Sequence, residues 1–386
     1  MNEILILGGG YTGMAATLGL AGRVRRRDDV HITLVNPQTR FTERLRLHQT
    51  ASGETLADLQ ISEMLADTGV DFVQGWVTAI DADAQTVQID DAYNLRYDTM
   101  VYALGAAADT EAVPGADEFA FTLNSAQDAR LLAEQLDRLS EGTVVVAGGG
   151  LTGVESAAEI AEQHPRLDVV LMSRQVPGSM MGDKARARLH AGLARLGVRV
   201  RVGVDIVKVM SDGVALDDGQ VVTAQAVLWT TGVRVSPMAA AAGLQVDHRG
   251  RIVTDEALRS VSHPNVYAVG DAAAVRQDYG FMHGTCQSGI PTAVHAASSI
   301  VRELKGKQPK KFRFGYMHQP VSLGRHDAVI QFTHADDTPG RFYLAGRPAV
   351  AYKETVSSSP WPTYRLLKAM PAAGSGMWRR GGRSTR

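Results

Sequence analysis

The chain has 386 residues, of which 45% are hydrophobic, and its formal net charge is -1 at pH 7. This length predicts two or three domains, and the composition is that of a soluble globular protein. No apolar run approaches the roughly 18 residues of a membrane-spanning helix, and Met1-Asn2-Glu3 lacks the positive region of a signal peptide, so we expect a cytoplasmic protein.

The first predicted elements form a strand-helix-strand unit. Apolar runs over 4–7 and 30–35 predict buried parallel strands on either side of a helix over 12–27. The period-two alternation over 70–90 indicates an antiparallel meander, and 97–104 predicts a further buried strand.

A second unit of the same kind follows. A helix over 125–139 precedes a strand over 144–147, and later apolar runs predict strands over 169–172, 198–202 and 226–230. These short buried runs alternate with helical stretches, as in a parallel sheet.

The last third of the chain is less regular. A buried strand over 266–269 ends at Gly270-Asp271, and a helix over 287–304 follows. Strands separated by turns are predicted over 312–353, and the final 30 residues match no pattern.

The sequence offers no metal centre. One cysteine, Cys286, excludes an intrachain disulfide, a Cys-x-x-Cys redox pair and a multi-cysteine metal site. Because the His, Asp and Glu residues show no compact ligand spacing, we predict no bound metal. We predict no nucleic-acid partner either.

The same glycine-rich pattern occurs twice, 140 residues apart: Gly8-Gly9-Gly10-Tyr11-Thr12-Gly13 and Gly148-Gly149-Gly150-Leu151-Thr152-Gly153. Each copy follows a buried strand and leads into an Ala-rich helix. The first glycine makes the tight turn, the second lets the backbone approach a pyrophosphate, and the third lets strand and helix pack closely. The phosphates lie at the positive end of the helix. Two copies in the same context predict that the chain binds two dinucleotides.

Four elements occur in a specific order: Gly8–Gly13, Ala103-Leu104-Gly105, Gly148–Gly153 with Glu155, and Asn265-Val266-Tyr267-Ala268-Val269-Gly270-Asp271. In this order they resemble the two-dinucleotide flavoproteins of the pyridine nucleotide-disulfide reductase-like superfamily, and within it the type II NADH:quinone oxidoreductase-like branch. The resemblance covers about residues 1–305. It implies an α/β fold with two Rossmann-like domains, the NAD(P) domain inserted in the FAD domain, and a small C-terminal α+β region.

The resemblance also implies domain limits and cofactor contacts. The FAD domain is expected to occupy 1–112 and 233–308, the NAD(P)H domain 113–232, and a C-terminal interface region with a basic tail 309–386. The residues implied for FAD are Gly8, Gly10, Tyr11, Thr12, Gly13, Asn36, Arg44, Val77, Ala103, Gly105, Gly270, Asp271 and Gln287. Those implied for NAD(P)H are Gly148, Gly150, Leu151, Thr152, Gly153, Glu155, Ser173, Arg174 and Gly232.

Asp271 and the helix after it have physical reasons to lie at a flavin. A carboxylate directly after a buried strand lies where open α/β sheets bind ligands, and it accepts hydrogen bonds from a sugar-alcohol chain. The helix from Gln287 then points its positive end at the same place, which stabilises negative charge on a reduced flavin.

The ribose-binding positions depart from the family pattern. Where an acidic residue usually ends the second strand, the first unit has Asn36, whose amide still bonds to a diol. The second unit ends in Ser173-Arg174, with no carboxylate to favour an unphosphorylated ribose and two groups that suit a 2′-phosphate. NADPH is therefore favoured over NADH, although 177–181 lacks the second arginine of many NADPH-using members.

The acceptor side carries no redox disulfide. The stretch 40–49, which matches the redox helix of disulfide reductases, contains no cysteine. Arg44 and His48 are its polar catalytic candidates, with His48 either a proton donor or a helical histidine whose hydrogen bonds are satisfied. Gln287 matches a quinone-contacting glutamine of the branch, but Pro291 stands where a second polar residue is expected.

Two further residues have alternative interpretations. Glu155 matches the glutamate that orients the nicotinamide, or it is a carboxylate favoured by the helix dipole. Cys286 is a small residue at a helix start, or a reactive thiol beside the flavin.

We expect a ping-pong flavoenzyme that moves hydride from NAD(P)H to FAD and electrons on to a quinone or another small acceptor. A flavin oxidoreductase of secondary metabolism, acting on an organic substrate or a redox protein, is an alternative. A non-enzymatic, redox-sensing protein of the apoptosis-factor-like type is another, because a fold does not fix a function.

Charge is unevenly distributed along the chain. Residues 301–386 carry 16 Lys/Arg against 5 Asp/Glu, a net +11, whereas residues 1–300 carry a net -12. This composition predicts peripheral contact with the inner face of a membrane, and the alternatives are a homodimer contact and a disordered tail. The apolar residues expected at the interface are Trp361, Tyr364, Leu367, Met370 and Trp378.

Overall fold

The computed structural model describes residues 1–371. Its first part alternates strands with short helices and then turns into a meander. The elements are β1 (Asn2–Leu7), α1 (Tyr11–Val24), β2 (Val30–Asn36), α2 (Leu47–Ala51), α3 (Ile61–Leu65), β3 (Val70–Gln74), β4 (Val77–Asp81), β5 (Thr86–Ile89), β6 (Tyr93–Arg96), β7 (Thr99–Tyr102) and β8 (Ala106–Ala108).

The middle of the chain repeats the alternation of strands and helices. Its elements are α4 (Ala116–Phe119), α5 (Ala126–Arg138), β9 (Gly142–Ala147), α6 (Leu151–Gln163), β10 (Leu167–Ser173), α7 (Asp183–Arg195), β11 (Arg199–Val202), β12 (Ile206–Met210), β13 (Gly213–Leu216), β14 (Val221–Thr223), β15 (Ala226–Trp229), β16 (Val233–Val235) and α8 (Met238–Ala241).

The last part contains one long helix, a three-stranded sheet and two further helices. Its elements are β17 (Ile252–Val253), β18 (Val266–Ala268), β19 (Ala273–Ala274), β20 (Arg276–Gln277), β21 (Gly280–Phe281), α9 (Cys286–Glu303), β22 (His318–Ser322), β23 (Ala328–Thr333), β24 (Pro339–Ala345), α10 (Arg347–Ser358) and α11 (Pro360–Ala369). No helix within residues 1–371 is both long and apolar enough to cross a membrane.

Two parallel sheets organise the molecule. The first has the strand order β18-β7-β1-β2-β3, and the second has the order β11-β10-β9-β15. Strand β18 joins the first sheet beside β7 although the whole second sheet lies between them in the chain. The α/β fold with two Rossmann-like units is confirmed.

The strand order explains where the glycine-rich loops lie. β1 is flanked by β7 and β2, and β9 is flanked by β15 and β10. Each glycine-rich loop therefore leaves the sheet at the point where the strand order reverses, which is where open α/β sheets bind ligands.

Small residues bring α1 and α9 together under the first sheet. A Cβ added at Gly19 would lie 3.3 Å from the Ala297 methyl carbon, and one at Gly289 would lie 2.9 Å from Thr12. Side chains larger than these would separate the two helices. The close approach places the first turn of α9 beside the loop after β1.

Two predicted elements were wrong. Val70–Gln74 pairs parallel with β2 as the edge of the first sheet and does not belong to the meander. Its alternation reflects an edge strand with one half-buried face. Residues 347–353 were expected in a strand region but belong to α10 (Arg347–Ser358), because Gly346 turns with positive φ and Pro348 suits the first helical turn. Helix α11 occupies part of the stretch that matched no pattern.

Candidate functional site

A cleft of about 980 Å³ runs along the carboxyl edge of the first sheet. The loop after β1, the end of β2, the loop after β7 and the start of α9 line it, and Asp271 lies in its wall. The predicted flavin residues that line this cleft are Gly8, Gly10, Tyr11, Thr12, Asn36, Arg44, Ala103, Gly105 and Asp271.

The three glycines of the first loop have separate roles. Gly8 has φ +97°, and a Cβ there would lie 2.6 Å from the Ala103 carbonyl oxygen. A Cβ at Gly13 would overlap the Gly8 carbonyl oxygen, so this glycine closes the strand-helix contact. At Gly10 a Cβ would meet no atom within 4 Å, and no side chain caps α1 there. The helix start is therefore open to a phosphate group, which fits a dinucleotide.

Asn36 is held at the rim of the cleft by both ends of its side chain. The Gly9 N–H donates to Asn36 Oδ1 at 2.8 Å, and Asn36 Nδ2 donates to the Gln38 carbonyl at 2.7 Å. A carboxamide keeps a second lone pair and a second hydrogen after these bonds. Those remaining positions suit a ribose diol.

Arg44 and Asp271 form the charged part of the cleft wall. Burial raises the pKa of Asp271, and the positive charge of Arg44 opposes that rise. The Arg44 guanidinium also donates to the Ala106 carbonyl at 2.7 Å, which fixes it at the cleft mouth. The pair offers both an acceptor and a donor to a flavin.

Some predicted flavin residues lie away from the cleft surface. Gly270 turns with φ +68° beneath the wall, where a Cβ would lie 2.8 Å from the Thr12 side chain. Val77 begins β4 and is half buried, whereas its neighbour Trp76 lines the cleft.

A second cleft of about 420 Å³ lies at the carboxyl edge of the second sheet. A Cβ at Gly150 would meet no atom within 4 Å, whereas one at Gly153 would overlap the Gly148 carbonyl oxygen, as in the first loop. Thr152 of this second loop lines the first cleft, so the two clefts adjoin. Leu151 packs against the apolar core of the second unit. The predicted nucleotide residues lining the second cleft are Gly148, Gly150, Ser173, Arg174 and Gly232.

The expectation that no carboxylate lies at the second ribose position was wrong. Asp205 lines the second cleft, and its Oδ1 lies 2.7 Å from an Arg174 guanidinium nitrogen. It follows β11, which pairs beside β10, so the two strand ends meet at one edge of the sheet. The sequence prediction considered only the residues that end β10. It therefore missed Asp205, which follows the neighbouring strand β11.

Glu155 is buried behind the cleft wall, one helical turn after Thr152. Its Oε1 lies 2.7 Å from Lys353 Nζ and accepts from the Ser322 N–H at 2.9 Å. Burial disfavours the ionised carboxylate, but the Lys353 ammonium and the Ser322 bond outweigh burial and lower the pKa of Glu155. No sequence pattern pointed to Lys353, which lies 198 residues further along the chain.

His48 is not a proton donor at neutral pH. It is 3% exposed, and burial lowers its pKa to about 4. The nearby positive charges of Lys353, Arg325 and Arg46 act in the same direction, whereas Glu155 opposes them. The imidazole is therefore neutral, and its Nε2 has no hydrogen-bond partner within residues 1–371.

Gln287 and Cys286 begin α9, where Thr285 caps the helix. Both ends of the Gln287 amide bind backbone: Nε2 donates to the His318 carbonyl at 2.9 Å, and Oε1 accepts from the Met317 N–H at 2.6 Å. Gln287 thus joins α9 to β22. Cys286 lines the first cleft, but burial raises its pKa to about 11, so a reactive thiolate is not populated at neutral pH.

Helix α11 uses its apolar side chains inside the protein. Tyr364 and Leu367 are fully buried, and the Tyr364 hydroxyl donates to the Tyr11 carbonyl at 3.0 Å. Trp361 lies 5.7 Å from the Phe41 ring. These three residues were expected at a membrane interface. Tyr364 and Leu367 are instead part of the core and Trp361 packs against it, so the expectation was wrong for this face of α11. Met370 is exposed, and Trp378 lies outside the described residues.

The residues brought together suit nucleotides and proton transfer. Residues 1–371 contain no group of three His, Cys, Asp or Glu side chains that would hold a metal ion. Two adjoining clefts with uncapped helix starts, backed by a buried Glu155-Lys353 pair, are instead the arrangement of a site for two dinucleotides.

Several curated relatives align over most of the chain. An NADH dehydrogenase-like protein of Mycobacterium tuberculosis is 29% identical over 382 residues, covering 93% of this chain and 94% of the relative. The alternative NAD(P)H-ubiquinone oxidoreductase C1 of Arabidopsis thaliana is 28% identical over 378 residues, covering 85% and 72%. A type II NADH:quinone oxidoreductase of Staphylococcus saprophyticus is 26% identical over 362 residues, covering 85% and 89%.

Solved structures share the fold. NDH2 of Plasmodium falciparum in complex with NADH superposes with a TM-score of 0.80 at 16% identity, covering 96% of this chain and 98% of that one. The sulfide:quinone oxidoreductase of Aquifex aeolicus gives a TM-score of 0.81 at 17% identity, covering 97% and 94%. The family model described as pyridine nucleotide-disulphide oxidoreductase matches residues 2–299. The chain therefore belongs to the pyridine nucleotide-disulphide oxidoreductase family.

Proposed function

We propose that the protein is an FAD-dependent NAD(P)H oxidoreductase that passes electrons to a quinone. The observation that carries this proposal is the junction of two phosphate-binding clefts at Thr152, with a buried acid-base pair directly behind it. Bound FAD would accept hydride from NAD(P)H and deliver electrons to the acceptor. The names of the relatives, which include quinone oxidoreductases, support the same assignment.

The chain's own residues have distinct roles in this proposal. Gly8–Thr12, Asn36 and Asp271 hold FAD, and Gly148–Gly150 with Arg174 hold the nicotinamide nucleotide. Arg44 positions the flavin through its charge and its bond to the Ala106 carbonyl, and Gln287 supports the cleft wall through β22. The domain limits 1–112, 113–232, 233–308 and 309–386 and the NADPH preference stay predictions.

The acceptor is proposed to be a quinone because the flavin side has no disulfide. From the stretch 40–49, Arg40, Thr42, Arg44 and Leu45 line the cleft, and the stretch contains no thiol. Cys286, the remaining thiol near the flavin, is protonated at neutral pH. A two-thiol redox relay would need a partner that the sequence does not contain.

An acceptor screen tests the proposal. The FAD-loaded protein is reduced by NADH or NADPH without oxygen, and reoxidation is followed after addition of a water-soluble quinone, a disulfide or ferricyanide. Rapid turnover with quinones and none with disulfides is expected. If reoxidation stays very slow with every acceptor, the protein is better assigned as a redox-sensing protein than as an enzyme. Turnover restricted to a redox protein would favour the secondary-metabolism alternative.

Peripheral membrane contact through the C-terminal segment is a second part of the proposal. In α11 the outward basic residue is Arg365, while Lys368 binds the Ala66 carbonyl. The membrane charge therefore rests mainly on four arginines beyond Pro371. Deleting everything after Pro371 keeps α11 and should abolish salt-sensitive sedimentation with anionic vesicles. If full-length protein does not sediment at low salt, the two alternatives predicted from the sequence remain, a homodimer contact and a disordered tail.

A further inference from the structure

Glu159 is a carboxyl group that the site described above does not use. It lies on α6, one helical turn after Glu155, and is 0% exposed. Neither of its oxygens has a hydrogen-bond partner within residues 1–371. Ionising a buried carboxyl group that has no hydrogen-bond partner costs free energy, so its presence calls for an explanation.

The charged groups around Glu159 leave it poorly neutralised. Arg325 is the nearest cation at 3.9 Å, but it lies closer to Glu54 at 3.1 Å and to Glu354 at 3.3 Å. Glu162, on the same helix, accepts from the Arg325 backbone N–H at 2.6 Å. The Arg325 guanidinium is thus shared with Glu54 and Glu354, which lie closer to it than Glu159 does.

The neighbouring elements supply no other cation for Glu159. From α2 comes the neutral His48, and α10 contributes Lys353, which is paired with Glu155. β9 contains no titratable side chain, and Asp168 of β10 is exposed and paired with Arg199. β22 contributes His318, whose pKa burial lowers to about 4, so that this imidazole is neutral as well. Burial raises the pKa of Glu159 to about 8; Arg325 opposes the rise, and Glu54, Glu162 and Glu155 add to it.

Glu159 lies between the buried pair and the surface. On the inner side is Glu155 with Lys353, and the Lys353 charge acts on Cys286, which lines the flavin cleft. On the outer side, Glu54 and Arg325 are about one-third and one-quarter exposed. Residues one turn apart on a helix have Cβ atoms about 5–6 Å apart, so Glu155 and Glu159 are neighbours.

We infer that Glu159 holds the proton that acceptor reduction consumes and transfers it to the Glu155-Lys353 pair. This inference rests on the proposed function. Reducing a quinone with NAD(P)H takes two electrons and one proton as hydride, plus one proton from water. In the step inferred here the Glu159 O–H bond breaks and the pair gains that proton, replacing one given to the quinone oxygen. The Glu159 carboxylate then regains a proton from solvent on the Glu54 side.

Glu159 acts through the pair and does not touch the acceptor. His48 does not replace it, because the imidazole is neutral and has no proton to spare in the required range. The other carboxylates of the cluster are engaged by Arg325 or Lys353. Within residues 1–371, Glu159 alone in this cluster combines complete burial with the absence of any hydrogen-bond partner.

Infrared spectroscopy of the oxidised FAD-loaded protein tests the stored proton without turnover. The carbonyl stretch of a protonated carboxyl group should be present at pH 7 and disappear with a midpoint near pH 8. Glu159→Gln should lack that band, whereas the surface control Glu134→Gln should retain it. A wild-type spectrum identical to that of Glu159→Gln overturns the inference.

Kinetics test the use of the proton. In the wild type kcat should fall as pH rises through about 8, because Glu159 then ionises. Glu159→Gln should lower kcat at pH 7 by about tenfold, leave KM for the nucleotide unchanged and remove the fall near pH 8. Glu159→Asp restores a titrating group on a shorter side chain. It should recover part of kcat at pH 7 and part of the fall in kcat at higher pH.

The outcomes separate this inference from the proposed function. A wild type that does not turn over with any quinone refutes the proposed function, while the infrared titration still decides whether Glu159 holds a proton. A Glu159→Gln enzyme with the wild-type kcat and pH profile overturns the inference and leaves the proposed function standing. Loss of FAD from Glu159→Gln would show that Glu159 has a structural role, and it would overturn the inference as well. The FAD content of Glu159→Asp checks that result.

Discussion

Paired substitutions at the two open glycines should separate the two nucleotide sites. Gly10→Val places a branched side chain where the structure has no atom within 4 Å, and Gly150→Val does the same in the second loop. Both backbones have negative φ at these positions, so a valine fits without backbone strain. We expect both variants to fold, with Gly10→Val unable to hold FAD and Gly150→Val still yellow.

The magnitude follows from the groups that the new side chain displaces. A hydrogen bond to a charged group contributes roughly 1.5–3 kcal/mol, so losing two amide bonds to a pyrophosphate removes roughly 3–6 kcal/mol of binding. That is about a 10²- to 10⁴-fold loss of affinity. The effect on the apo fold should stay near 1 kcal/mol, the difference between glycine and a branched residue at a helix N-cap.

Three measurements check this prediction. Flavin absorbance gives FAD content, stopped-flow reduction gives the NAD(P)H affinity of the FAD-loaded Gly150→Val, and circular dichroism gives the fold of both variants. Gly13→Ala is the contrasting control, because its Cβ would overlap the Gly8 carbonyl oxygen and should disrupt the fold itself. A Gly10→Val protein that keeps a full complement of FAD would refute the assignment of the first cleft.

Two further predictions concern charge. The pKa of Glu159 is raised from 4.5 to about 8, so the native state binds more protons than the unfolded chain between these values. The free energy of unfolding should therefore fall by at most roughly 5 kcal/mol as pH rises from about 4.5 to 8, and should level off above pH 8. Urea denaturation at several pH values measures this slope, and Glu159→Gln should remove it. An unchanged slope in Glu159→Gln would contradict the assignment. At the second ribose position, Asp205→Ala frees Arg174 and should lower KM for NADPH by about tenfold with little effect on NADH. Ser173→Glu with Arg174→Ala should raise KM for NADPH and lower KM for NADH. If the KM values for both nucleotides change equally, Arg174 is not part of the ribose-binding site.

The sequence predicted the parts of the site that depend on local order. A glycine-rich loop is recognisable because turn, phosphate approach and helix contact occur within six residues, as at Gly8–Gly13. Asp271 was found for the same reason, since it directly follows a buried strand and a glycine. Apart from β3, which was assigned to the meander, the strands of the two Rossmann-like units were predicted with limits within a few residues.

What the sequence did not predict depends on residues far apart in the chain. Lys353 reaches Glu155 from a helix that was expected to be a strand, and Asp205 reaches Arg174 from the neighbouring strand. His48 carries a helical pattern that does not reveal its complete burial. Pair formation and desolvation of this kind arise only when the tertiary structure closes.

The bond from Tyr364 to the Tyr11 carbonyl affects the order of events during protein synthesis. It spans 353 residues, and the side chain that donates it is packed against Phe41 beside the first glycine loop. A nascent chain that ends before α11 leaves this flank of the loop uncovered, so Tyr11 and Phe41 face water on the ribosome. Completion of the flavin site therefore waits for translation of α11, and premature termination before Pro360 should yield a protein that captures flavin poorly and exposes an aromatic surface to chaperones.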